Sequence, residues 1–202
     1  MARAAPMHSR ARLALLIGAA LAMGGPALAG PPYVTDDPQP TDPSRYEIYL
    51  FDGGTRARDD TENTVGIDFN YGAAPNLQLT AVVPFVFEHP QRGASAGGPG
   101  NIELAAKYRI VHAQGTAWNV AVFPRLFLPA GSSDADDRHA SLLLPVWVGT
   151  GREKWSTFGG GGCEIHRGGE ARDFCLAAWA LTHTNGRLQF GAEIYQRTAD
   201  TR

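Results

Sequence analysis

From Asn76 to Glu88 the sequence reads NLQLTAVVPFVFE, and its side chains alternate. Leu77, Leu79, Ala81, Val83, Phe85 and Phe87 fall on one side, and Gln78 and Thr80 open the other. A period of two marks a strand with two unlike faces. The pattern recurs in Val65 to Gly72, where Val65, Ile67, Phe69 and Tyr71 oppose Asp68 and Asn70. In Asn101 to Ile110, Ile102, Leu104, Ala106, Tyr108 and Ile110 oppose Glu103, Lys107 and Arg109. In Leu188 to Arg197, Leu188, Phe190, Ala192 and Ile194 oppose Gln189 and Glu193. Further strand-length segments lie at Arg45 to Asp52, Thr116 to Leu128, His139 to Gly149, Lys154 to His166 and Arg172 to His183, making nine. Helix signals are almost absent.

Charges in mid-strand narrow the choice of fold. Asp68, Glu103, Lys107, Arg109 and Glu193 would each cost several kcal/mol in a small soluble core if left unpaired. A polar lumen accepts them, while the opposite faces, rich in Phe, Tyr, Leu and Ile, suit lipid. The connections alternate long and short: Gly53 to Thr64, Ala73 to Pro75, His89 to Gly100, Val111 to Gly115, Ala130 to Arg138, TGRE, a glycine turn near Gly168 and TNGR, with only the glycine turn breaking the length rule. Outer-membrane barrels are connected this way, with short periplasmic turns and longer external loops. The expectation is therefore an all-β chain, an antiparallel up-and-down meander of about nine strands forming a transmembrane β-barrel of the outer-membrane type. The soluble alternative is a periplasmic ligand-binding barrel, whose strands would alternate equally well.

The first residues point to export. Arg3, Arg10 and Arg12 precede the apolar run Leu13 to Met23, and Ala27 and Ala29 supply an A-x-A site, predicting cleavage between Ala29 and Gly30. Removing residues 1–29 removes three of 18 basic residues and no acid, so 15 basic face 20 acidic residues and the net charge becomes −5. That balance argues against a nucleic-acid partner. Residues 30–44 (GPPYVTDDPQPTDPS) carry prolines and aspartates without periodicity and read as a periplasmic tether; 45–202 is the barrel domain.

Both cysteines fall in FGGGGCEIHRGGEARDFC, Phe158 to Cys175. A phosphate loop needs its glycines between a strand and a helix, and none follows here. A zinc site would have only Cys163, His166 and Cys175, at no familiar spacing, so no metal and no cofactor is assigned. Folding the stretch into a hairpin about Gly169 sets Cys163 opposite Cys175, Gly161 opposite Ala177 and Gly159 opposite Trp179. Opposed Cβ atoms are close enough for a disulfide after modest adjustment, and a tryptophan can cover a bare strand glycine. The stretch reads as structural.

Two other constellations remain. His139 and Ser141 share one side of a strand beneath the loop acids Asp134, Asp136 and Asp137; with an acid they could serve an outer-membrane hydrolase. No oxyanion-hole element accompanies them. The acids Asp36, Asp37, Asp42 and those of that loop lack calcium-loop spacing. Pro84, Pro124 and Pro145 fall inside strands and predict bulges or kinks.

The segments YVTDDPQPTDP, RYEIYLF, DFNYGAAPNLQLTAVVPF, NIELAAKYRI, FPRLFLPAG, LLLPVW and TFGGGGCEIHRGGEARDFC resemble the outer-membrane barrel proteins grouped as the MetA-pathway of phenol degradation family, across essentially all of 30–202. The resemblance implies a barrel of about a dozen strands that moves small, aromatic or hydrophobic, compounds, and it carries no catalytic residue across. With nine strands ending at QRTADTR, an incomplete barrel with its C-terminal strands missing is expected. The expected function is a non-enzymatic channel with outer-membrane lipid around it. Asp68, Asn70, Gln78, Thr80, Glu103, Lys107, Arg109, Arg125, Gln189 and Glu193 would line its lumen, and Glu103 would pair with Lys107 or Arg109.

Overall fold

The computed structural model describes residues 33–56, 60–90, 94–112, 118–130, 139–152, 154–168, 173–186 and 188–198. Ala29 and Gly30, the Asp134 to Asp137 loop and the turn residues Gly169 and Glu170 lie outside them. The described chain is one antiparallel sheet of eleven strands. These are β1 (Tyr46–Arg56), β2 (Asp60–Ala74), β3 (Leu77–Pro90), β4 (Ala96–Pro99), β5 (Ile102–His112), β6 (Asn119–Val122), β7 (Arg125–Leu128), β8 (Ser141–Arg152), β9 (Trp155–His166), β10 (Phe174–Asn185) and β11 (Leu188–Arg197).

The main path runs β1-β2-β3-β5-β6-β8-β9-β10-β11, nine positions as the alternation predicts. Two short strands complete it. β4 folds back on the upper part of β3, and β7 continues β6, pairing with β5 and β8. The predicted segment Thr116 to Leu128 is thus broken at Phe123 and Pro124. The predicted long loop Gly53 to Thr64 is mostly strand: the β1–β2 ladder continues through Thr55↔Glu62 to Arg56↔Thr61. Backbone hydrogen bonds do not require an apolar face, so a ladder can outrun the alternation that reveals it.

The prolines mark where ladders change partner. β3 pairs with β5 through Val82 and with β4 from Phe85, and Pro84 fills the gap. β8 pairs with β7 through Leu143 and with β6 from Val146, and Pro145 fills that gap. The carbonyls of both point into their gaps, accepting from Gly100 N and Phe123 N at 3.1 Å each. In an antiparallel strand a residue's N–H and C=O point to the same side. The missing proline donor therefore falls where no ladder needs it.

The hairpin of β9 and β10 has the register read from sequence, with Cys163↔Cys175, Gly161↔Ala177 and Gly159↔Trp179. Cys163 and Cys175 form a disulfide with Cα atoms 4.0 Å apart. The glycine run lets two indoles lie on opposite faces of one strand. A Cβ at Gly159 would collide with the Trp179 ring, and one at Gly160 would sit 3.0 Å from Trp147 Cε3.

One face of the sheet is apolar from strand to strand: Ile48↔Phe69, Leu50↔Ile67, Ile67↔Val83, Ala81↔Leu104, Leu104↔Leu126, Leu126↔Leu142, Leu142↔Ile165 and Trp179↔Ile194. The other face holds what is buried. Over β6 and β8 to β10 it is mostly apolar, with Ala121, Leu143, Pro145, Trp147, Ala178 and Ala180, and the buried hydroxyls of Ser141 and Thr182 beside them. Over β2, β3 and β5 it is polar, with Asn70, Gln78, Thr80, Glu103 and Lys107, none more than 7% exposed.

Candidate functional site

The polar half is built by alternation. Asp68 and Asn70 on β2, Gln78, Thr80 and Val82 on β3, Glu103 and Lys107 on β5, and Arg125 on β7 all project to the inner face. With Glu47 and Tyr49 of β1, Phe123, and Asp36, Asp37 and Gln39, they line a cavity of about 210 Å³. A hydrogen-bond network fixes its floor. Gln78 Nε2 donates to Asn70 Oδ1 at 2.7 Å and Thr80 Oγ1 donates to the same oxygen at 2.5 Å, while Asn70 Nδ2 donates to Asp68 at 2.9 Å. Arg125 meets Glu103 through two bonds of 2.7 Å, Nε to Oε1 and Nη2 to Oε2. Lys107 lies 4.8 Å, and the Arg125 guanidinium 5.5 Å, from the centre of the Phe123 ring.

This pairing corrects the sequence expectation. Glu103 bonds Arg125, not Lys107 or Arg109. Four residues along a strand span about 13 Å, beyond the reach of an ion pair, whereas Arg125 sits on the adjacent strand. Lys107 bonds Asp36 Oδ1 at 2.8 Å, and Arg109 bonds Asn76 Oδ1 at 3.0 and 2.7 Å and Gln39 Oε1 at 3.2 Å. Glu193 is engaged separately, and Gln189 is exposed near one end of β11, apart from the cluster.

The segment 33–43, which sequence alone reads as a tether, lies across this face. Val34 N and Thr35 N donate to Glu193 of β11 at 3.1 and 2.5 Å, and the Thr35 hydroxyl bonds the same carboxylate. The next residue, Asp36, bonds Lys107 of β5. Pro38 packs where a Cβ on Gly149 of β8 would come within 2.9 Å of its Cδ. Gln39 returns to Arg109 of β5, and Thr41 donates to Gln78 Oε1 of β3 through its N–H at 2.8 Å and its hydroxyl at 3.1 Å. Tyr33 packs edge-on to Phe158 of β9, ring centres 6.1 Å apart. β11 and β5 are five places apart in the sheet order, about 24 Å if flat. Adjacent Cα atoms are about 3.8 Å apart, so the sheet must curl round the segment for Thr35 and Asp36 to reach both. β1 and β11 end the order, and no ladder joins them among the described residues.

The electrostatics of the segment are uneven. Asp37 opens into the cavity, but protein encloses it. That burial raises its carboxyl above the ordinary range against the opposing pull of Lys107, and Asp36 and Glu47 raise it further.

Over residues 29–202 the sequence matches the family described as "Putative MetA-pathway of phenol degradation". The chain belongs to this family. No curated protein and no solved structure gave a match. In this family member seven of the ten residues predicted to face inward, from Asp68 to Arg125 but without Arg109, line one cavity. Sequence reading missed Glu47 and Tyr49, although RYEIYLF sets them opposite Tyr46, Ile48 and Leu50. It also missed the inward role of Asp36, Gln39 and Thr41, which no periodicity signals.

A second polar cluster lies on the inner face toward the other end. Ser141 Oγ donates to Glu164 Oε1 at 2.6 Å, and His166 Nε2 lies 3.2 Å from the same oxygen. The hydroxyl named with His139 thus donates its hydrogen bond to a carboxylate on β9.

Proposed function

We propose that the protein is an outer-membrane β-barrel channel for small compounds. The observation that carries this reading is the inverted distribution of apolar side chains. Among the described residues twenty-nine large apolar side chains are exposed, most of them on the outer face and a few, such as Tyr49 and Val34, inside, while six hydrophobic residues form the buried core. A soluble domain rarely exposes apolar patches beyond a few hundred Å²; a lipid-facing wall exposes nothing else. Aromatic residues cluster near the short turns: Tyr46, Tyr71, Tyr108, Trp118 and Trp155 are all exposed there. That is the girdle expected at a membrane–water boundary, and it favours the channel over a soluble periplasmic binding barrel.

The family description associates these proteins with phenol degradation, and the inner face suits such a cargo. Asn70, Gln78 and Thr80, which bond one another and Thr41 in this structure, would have to exchange those bonds for a cargo hydroxyl, and Val82 and Phe123 would give a ring apolar contact. Selectivity would come from these side chains, since a pore discriminates by its width and the groups that line it. The test is fractionation followed by heat-modifiable gel migration of the refolded chain and conductance in planar bilayers. Membrane partition, a compact heat-sensitive band and phenol-responsive current are expected. Recovery in the soluble fraction without detergent sinks the reading.

A further inference from the structure

We propose that residues 33–41 are a hinged plug, docked in the inner face and released as a unit, and that Asp36 and Glu193 are its latches. The inference rests on the channel reading for its consequence, a closed passage, but its own evidence is the manner of attachment. Among the described residues, every bond from 33–41 to the sheet ends on a side chain: Glu193, Lys107, Arg109 and Gln78. Pro38 and Pro40 lack the donors a ladder would need. From residue 42 the attachment changes. Ser44 N donates to Gly72 O at 2.8 Å, Gly72 N to Arg45 O at 2.9 Å, and Arg45 N to Asp42 O at 3.0 Å. Ser44 has φ 61°, a left-handed turn that reverses the chain into β1. The segment is therefore fixed by backbone at one end and held by separate side-chain contacts along its length.

The wall is shaped to receive it. On three different strands, a Cβ at Gly191 would collide with the Tyr33 hydroxyl, one at Gly149 would come within 2.9 Å of Pro38 as well as 2.8 Å of Phe158 Cβ, and one at Gly72 would collide with Asp42 and Thr41 where the segment meets its anchor. Glycine weakens a strand interior, so three glycines beneath one segment are spent on fit. A segment with matched seats, no ladder and a backbone anchor is built to leave and return.

The test places a reporter thiol at buried Pro40 (Pro40→Cys) in the full chain, whose native cysteines are tied to each other. A water-soluble maleimide is applied to vesicle-embedded protein, with heat-modifiable migration verifying each fold. Combining Asp36→Asn with Glu193→Gln removes two charge-assisted attachments, each worth about tenfold or more in the docking equilibrium, so labelling should quicken at least that much and conductance should rise with it. A second variant, Thr41→Cys with Gln78→Cys bridged by a bis-methanethiosulfonate, should suppress both. Equal labelling in loosened and parent proteins overturns the plug. Faster labelling with a current unchanged from the parent's overturns its role as a gate. Faster labelling with no current in any variant leaves the releasable segment standing and overturns the channel.

Discussion

Removing Arg125 should expose how much the inner face depends on matched charge. Glu103 is 5% exposed, and its two oxygens each accept a 2.7 Å bond from the guanidinium. At an effective dielectric constant near 20, charges about 4 Å apart attract by about 4 kcal/mol, and much of that is offset by the desolvation of both ions. Removing one partner is a different matter, because the remaining carboxylate stays buried and uncompensated, at about 3–5 kcal/mol in a dry interior. The adjoining cavity admits water, and the Arg125 side chain is 28% exposed, so about 2–3 kcal/mol is expected for Arg125→Met. Glu103→Gln in the same background should recover most of that, because the neutral amide no longer needs a cation. The assay is urea unfolding of the lipid-refolded protein for both single variants, the double variant and the parent. A coupling energy of about 2 kcal/mol is expected. Strict additivity would refute the reasoning, since it would mean that the two groups do not sense each other.

Four further outcomes follow from the same geometry. Leu144→Arg, on the exposed apolar face, should destabilise the lipid-embedded protein by about 2–4 kcal/mol if it sits near mid-membrane; no change in the urea midpoint contradicts a lipid-facing wall. Gly159→Val should displace the Trp179 ring from the strand it covers and break its 2.8 Å bond to Thr157, lowering stability and changing indole fluorescence; an unaltered spectrum counts against the fit. Reducing Cys163–Cys175, which closes a 12-residue separation, should cost up to about 3 kcal/mol, read as a lower urea midpoint under dithiothreitol. Asp37→Asn should hold segment 33–41 more firmly, since burial already disfavours the charged carboxyl; the Pro40→Cys reporter should then label more slowly.

What alternates in sequence was legible. The nine strand positions, the inward assignment of Asp68 to Arg125, and the register of β9 on β10 all followed from period two and from one cysteine pair read with its glycines and tryptophan. The departures share a cause. Ladder bonds belong to the backbone, so the β1–β2 extension and the β4 return leave no apolar signature. The partner of Glu103 depends on how β5 and β7 align, and spacing along one strand cannot supply it.

The sequence by itself determined which faces exist, because a strand sends successive side chains to opposite sides whatever its neighbours do. Only the tertiary structure decided what the inner face holds. A Pro- and Asp-rich stretch has no period to read, and its place across β11, β5, β8 and β3 arises when the sheet curls and brings those strands within reach of consecutive residues. Burial, pairing and the cavity are properties of that closure, and they appear only once distant strands face each other.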